Sequence, residues 1–184
     1  MSLIHDTHLM VDIETLGKGP DSIILSLGAV TFIPAGEFAL EDSIYYELNA
    51  ELQNRTVEID TVRWWMKQET AAPINGDVLL QDALIRLNNF IAEYKPKHFW
   101  ANGSSFDFPI LTHAYLAAGI SIPWGYSDIK DYRTMRKLFR HVPMIQKNPN
   151  EHHALDDAKY QAMHLSAILV NLDGMIKDYE KDGK

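Results

Sequence analysis

The sequence predicts an α/β domain: a mixed sheet flanked by helices. Three observations carry that reading. Short apolar, β-prone segments crowd the first fifty or so residues. Helical periodicity dominates the rest, with one further strand segment between the helices. No internal repeat or low-complexity linker divides the chain, so its 184 residues form a single domain, 1–184. Strands gathered early as a meander, followed by interleaved helices, are the pattern of a sheet covered by helices.

His8 to Ile13 reads as a short buried strand. Ile23 to Ile33 is apolar and β-prone, and Pro34-Ala35-Gly36 marks a turn after it. Phe38 to Leu48 alternates loosely and is expected to return as its hairpin partner. Thr61 to Gln68 is a short helix. Asp77 to Tyr94 is a stronger one, because Leu80, Ala83, Leu84, Leu87, Phe90, Ile91 and Tyr94 follow helical spacing and Pro96 lies beyond the end. His98 to Ala101 is another buried strand. Phe108 to Gly119 reads as a helix with Pro109 in its first turn and Gly119 as its stop. Asp131 to Phe139 is a further helix. Ala154 to Leu172 is the last, with Ala158, Ala162, Leu165, Leu169 and Leu172 along one face. The charged tail from Lys177 is expected to fray.

Composition narrows the classes. At 46% hydrophobic residues the chain can bury a core without a disulfide or structural metal. It has no cysteine, which removes disulfide scaffolds and thiolate-bound zinc and suits a reducing cytoplasm. No apolar run reaches the ~18 residues of a membrane span. The formal net charge of −8 argues against a broad phosphate-binding surface. It is compatible with a small site whose carboxylates a bound cation neutralises. No phosphate-binding glycine loop with its lysine is present.

Three short constellations bear chemistry. In Val11-Asp12-Ile13-Glu14-Thr15, residues two apart on a strand share a face, so Asp12 and Glu14 project together while Val11 and Ile13 face a core. Two adjacent carboxylates repel unless a cation sits between them, and hard oxygen donors suit a hard divalent cation. A strand ending at a polar edge explains the same residues. In Ala101-Asn102-Gly103-Ser104-Ser105-Phe106-Asp107-Phe108-Pro109, Asp107 stands at a helix start, where a cap explains it as well as a metal does. In His152-His153-Ala154-Leu155-Asp156-Asp157, acids in a first helical turn also answer to the helix dipole.

Taken in order, these segments resemble the DEDDh exonucleases, a family with a ribonuclease H-like fold. Asp12 and Glu14 match its first motif, Asn102, Phe106 and Asp107 its second, and His152, Ala154 and Asp157 its third. The resemblance spans residues 9 to about 170. Val62-Arg63-Trp64-Trp65-Met66-Lys67-Gln68 and Asp131-Tyr132-Arg133-Thr134 look like segments of the ribonuclease T-like subgroup that includes phage exonuclease A. Ala101 departs from the pattern, since many relatives carry histidine there; the carboxylates are untouched.

The resemblance implies a 3′→5′ exonuclease acting on single-stranded or 3′-overhanging DNA or RNA and releasing nucleoside 5′-monophosphates. It implies that Asp12, Glu14, Asp107 and Asp157 hold two divalent cations, Mg²⁺ or Mn²⁺, and that His152 accepts the proton of the attacking water. An imidazole's ordinary pKa of about 6.5 suits that work. Thr15, Leu16, Asn102, Phe106, Trp65 and Arg133 are the expected substrate contacts. Trp64 and Trp65 point about 100° apart on a helix, so one is core and the other is left to cover the site or stack on a base. For Arg63, Lys67 and Arg133 a solvated helix face competes with phosphate contact, and His5 and His8 read as a strand-entry surface. A cytoplasmic location, no membrane partner and room for a homodimer complete the expectation. Two rival readings stand beside it: an idle nucleic-acid-binding module of the same fold, and another metal-dependent phosphohydrolase.

Overall fold

The computed structural model describes residues 3–35, 39–144 and 150–183. The first strand, β1 (His8–Thr15), is the centre of the sheet. Its apolar run is buried on both faces, and Asp12 is the only member of the strand that is not buried. β2 (Ile24–Ile33) and β3 (Ala39–Glu47) follow as an antiparallel meander. β4 (His98–Ala101) lies parallel to β1 on its other side, and β5 (Ile129–Asp131) lies parallel to β4. The order is β3-β2-β1-β4-β5. Gly36 of the expected turn and Phe38 of the expected hairpin strand lie outside the described residues.

The helices are α1 (Ile59–Trp65), α2 (Leu80–Tyr94), α3 (Ser104–Ala118), α4 (Tyr132–Leu138) and α5 (Ala154–Asp182). Alternation along β1 sorts them into two layers. Leu9, Val11 and Ile13 enter a core with Leu84, Leu87 and Phe90 of α2 and Phe108, Leu111 and Tyr115 of α3. Met10, on the opposite face, packs with Ala158, Ala162, Leu165 and Leu169 of α5. Asp12 and Glu14 share Met10's side of the strand, so the acidic pair faces α5.

Helix ends shift by a few residues, α1 to Ile59–Trp65 from Thr61–Gln68 and the start of α2 to Leu80 from Asp77; four further details differ from expectation. Helix α3 begins at Ser104 rather than Phe108, which places Asp107 inside its first turn and Pro109 in its second. The early start is anchored from outside the helix: Asp131 Oδ2 accepts from the Ser104 amide at 2.7 Å, while Oδ1 accepts from Thr134 N at 2.7 Å and caps α4. Strand β5 was not expected; three residues are too few to show alternation. Helix α5 continues to Asp182, with ion pairs Lys177–Asp173 at 2.7 Å and Lys181–Asp178 at 3.4 Å along the stretch expected to fray. His8 is fully buried rather than on a surface, accepting from Trp100 Nε1 at 2.9 Å and bonding to the Leu3 carbonyl at 2.9 Å.

Candidate active site

The centre of the site is made by one turn of backbone against one strand. Strand β1 presents Asp12 and Glu14 from the middle of the sheet. Across the sheet, Asp12 pairs with Gly28 of β2. A Cβ on Gly28 would stand 2.4 Å from Leu155 N and 2.5 Å from Ala154 C. The missing side chain is what lets the first turn of α5 rest directly on the sheet. That turn brings Asp157, and the loop before it brings His152.

Ligand atoms of Glu14, His152 and Asp157 lie within 4.8 Å of one another. Asp107 arrives from α3: its Oδ1 accepts from Ile13 N at 3.2 Å, which locks the second motif onto the first. Gln161, one turn beyond Asp157 on α5, donates from Nε2 to Asp12 Oδ1 at 3.0 Å. His152 adopts a left-handed φ of 68°, and its amide donates to Asp157 Oδ2 at 2.9 Å. His153 does a different job. It is the N-cap of α5, its Nδ1 accepting from Asp156 N at 3.3 Å, and its ring stacks on Tyr45 with centroids 4.3 Å apart.

Burial and mutual repulsion set the electrostatics. Burial, then the charges of Asp107, Glu14 and Asp157, push the Asp12 carboxyl well above its ordinary range. Burial, Asp157 and Asp107 push Glu14 up to about 8. Burial raises Asp107 to about 7, opposed by the Ile13 amide and by the Arg133 charge. Among the described residues no lysine or arginine forms an ion pair with Asp12, Glu14 or Asp107. A cluster of oxygen donors held this way fits a divalent cation.

The cleft around the cluster has a volume of about 1320 Å³. Thr15, Asn102, Phe106, Trp65 and Arg133 all line it. Leu16 does not: it packs beside Ile23, Leu25 and Trp65, and its backbone bonds with Ile23 and Glu58. Trp65 is buried and donates from Nε1 to the Thr15 carbonyl at 2.9 Å, while Trp64 is 40% exposed and sets its ring edge-on to His152, centroids 4.7 Å apart. The open indole is therefore Trp64. Arg133 Nη2 donates to the Asn102 carbonyl at 2.7 Å, beside Gly103, whose φ of 103° a side chain would rarely adopt.

A family model described as the 3′-5′ exoribonuclease Rv2179c-like domain matches residues 7–169. The chain belongs to this family. It is thereby a 3′→5′ exonuclease domain. An exodeoxyribonuclease of enterobacteria phage T4 is 27% identical over 119 residues, 55% of this chain and 52% of that protein. The match thus spans about half the length of that relative. Among solved structures, the nuclease domain of 3′hExo, a DEDDh family member bound to rAMP, superposes with a TM-score of 0.69 at 15% identity, over 93% of this chain and 95% of that one. E. coli exonuclease I in complex with a dT13 oligonucleotide gives 0.68 at 13% identity, over 95% of this chain and 43% of that one. These likenesses establish the ribonuclease H-like fold.

Seen against the exonuclease domain family, the sequence left three participants unmarked. Gly28 and Gln161 act through space, on residues remote in sequence, and nothing in their neighbourhoods signals it. Asp131 was visible as the head of a helix, but its second bond, to the Ser104 amide, was not.

Proposed function

We propose that this chain is a divalent-metal-dependent 3′→5′ exonuclease that shortens single-stranded or 3′-overhanging nucleic acid, releasing nucleoside 5′-monophosphates. The observation that carries the reading is the convergence of Asp12, Glu14, Asp107 and Asp157, from β1, α3 and α5, on one cleft beside His152. Asp12, Glu14, Asp107 and Asp157 would hold two cations, Mg²⁺ or Mn²⁺. Bound there, the cations supply Lewis-acid stabilisation of phosphate charge and a more acidic water. His152 takes the proton of the attacking water. The new P–O bond forms as the bond to the 3′ oxygen breaks, and the shortened strand keeps a 3′ hydroxyl.

The remaining residues bind and orient. Arg133 faces a phosphate, with Asn102 beside it, and Thr15 meets the terminal sugar. Phe106 and the open indole of Trp64 offer apolar faces to bases, a contact that tolerates any sequence, while the buried Trp65 holds the Thr15 carbonyl from behind. The family's description speaks of an exoribonuclease and the phage relative's name of an exodeoxyribonuclease, so both sugars are substrates to compare. Lacking cysteine, the domain suits the reducing cytoplasm, and among the described residues no helix is long and apolar enough to cross a membrane.

The test is digestion of matched 5′-labelled single-stranded RNA, single-stranded DNA and duplexes with Mg²⁺ or Mn²⁺. A descending ladder that EDTA stops supports the reading. Cleavage of a circular single strand, or immediate release of the labelled 5′ mononucleotide, overturns it.

A further inference from the structure

Gln161 is 7% exposed, lines the cleft and lies one turn along α5 from Asp157. Its Nε2 donates to Asp12 Oδ1 at 3.0 Å, yet its Oε1 is buried without a hydrogen-bond partner. Asp12 occupies the middle of the sheet, surrounded by the charges of Asp107, Glu14 and Asp157. Apart from this amide, no hydrogen bond to its carboxylate is found among the described residues. Three features follow from that placement. The amide is what fixes the rotation of the Asp12 carboxylate. It engages one oxygen and leaves the other for a cation. Its own oxygen is buried and unpartnered, an acceptor of a kind that is nearly always satisfied when buried.

We propose that Gln161 is a positioning residue for the cation site: by holding Asp12, it raises the affinity of the carboxylate cluster for a divalent cation. The proposal rests on the metal-dependent reading given above. Partners that orient a metal-binding carboxylate from behind typically change metal affinity by about 10–100-fold when removed. A glutamine serves here better than a lysine or arginine. It donates to Asp12 without adding a positive charge that would compete with the cation.

The experiment is direct Mn²⁺ binding, by calorimetry and by electron paramagnetic resonance of free Mn²⁺, on wild type, Gln161→Met and Gln161→Asn. Met keeps the length and loses the donor. Asn keeps the amide and loses the reach. Both variants are expected to bind Mn²⁺ about 10–100-fold more weakly. Their metal-free melting temperatures should stay near that of wild type, which separates positioning from a merely structural role. If wild type binds Mn²⁺ and either folded variant binds it equally well, the proposal fails alone. If wild type itself binds no Mn²⁺, the metal reading fails and takes the proposal with it.

Discussion

Two neighbouring histidines divide their labour by one step of backbone. His152 is five positions before Asp157 and His153 four, so helical spacing alone favours His153 as the partner of Asp157. The structure shows why spacing misleads here. His152 stands ahead of the helix at a φ of 68°, reaching Glu14 and Asp157, while His153 is spent on capping α5. His152→Ala should therefore lose a factor on the order of 10²–10⁴ in rate, the usual span for a general base. His153→Ala should keep most activity and lose a helix cap, about 1 kcal/mol in urea denaturation. An inactive His153→Ala beside an active His152→Ala would shift the motif by one and make Asp156 the ligand. The carboxylates give a pH prediction with a definite sign. Glu14 titrates at about 8 and Asp107 at about 7. Between the ordinary carboxylate range and about 8, the metal-free fold binds more protons than the unfolded chain, so its stability falls as pH rises through that window. Protons compete with a cation for the same oxygens. The rise in melting temperature produced by Mn²⁺ should be larger at pH 8 than at pH 5.5, and Glu14→Gln should shrink the difference. A Mn²⁺ effect independent of pH would contradict the assignment of these groups.

Among the elements, α5 does the most to assemble the site, and its seat on the sheet depends on an absent side chain. Gly28→Ala would push a methyl to within 2.4 Å of the backbone of the first turn of α5. Backbone cannot swing aside as a side chain can. The variant should lose about 1–3 kcal/mol, the usual cost of overpacking, and lose activity too, since that turn carries Asp157 and follows His152. Gly174→Ala is the matching control on the same helix. A Cβ there meets nothing within 4 Å, so the change should be neutral or stabilise by up to about 1 kcal/mol. Equal urea midpoints for Gly28→Ala and wild type would show that α5 adjusts freely. The contrast also explains what the sequence could and could not disclose. The core face of α5 was legible because Ala158, Ala162, Leu165 and Leu169 repeat at helical spacing, and both burial and period are local. The carboxylates were legible through their order along the chain. The role of Gly28 was not, because its reason is a contact with Leu155, on another element. Nor was β5, three residues long, nor the parallel pairing of β1 with β4, which depends on segments far apart in sequence.

At the scale of the molecule, charge decides how the domain can hold a strand. The net charge is −8, yet Lys18, Arg63, Lys67, Arg133 and Arg136 all line the cleft that holds the carboxylates. Arg63 is also engaged by Asp60 at 3.2 Å, an exposed pair of small worth. Among the described residues, a strand following this cleft meets these five cations, and the net acidic balance of the chain gives it little more to hold. Each phosphate neutralised on a single strand contributes a slope of about −0.7 to the dependence of log affinity on log salt. Full use of the cleft therefore sets a ceiling of about −3.5. The measurement is kcat/KM on a 5′-labelled single-stranded oligonucleotide from 50 to 300 mM KCl at fixed Mg²⁺, where these concentrations are roughly the range in which counterion release is readily measured. The slope should be no steeper than that ceiling, and an excess of long, blunt duplex should compete poorly. Arg133→Ala should flatten the slope by about 0.7 while leaving Mn²⁺ binding intact, which separates a phosphate contact from a residue that supports the carboxylates. A slope well beyond the ceiling would mean that the strand is held on a second basic surface outside the cleft, and that the acidic balance of the chain does not confine binding to the strand end.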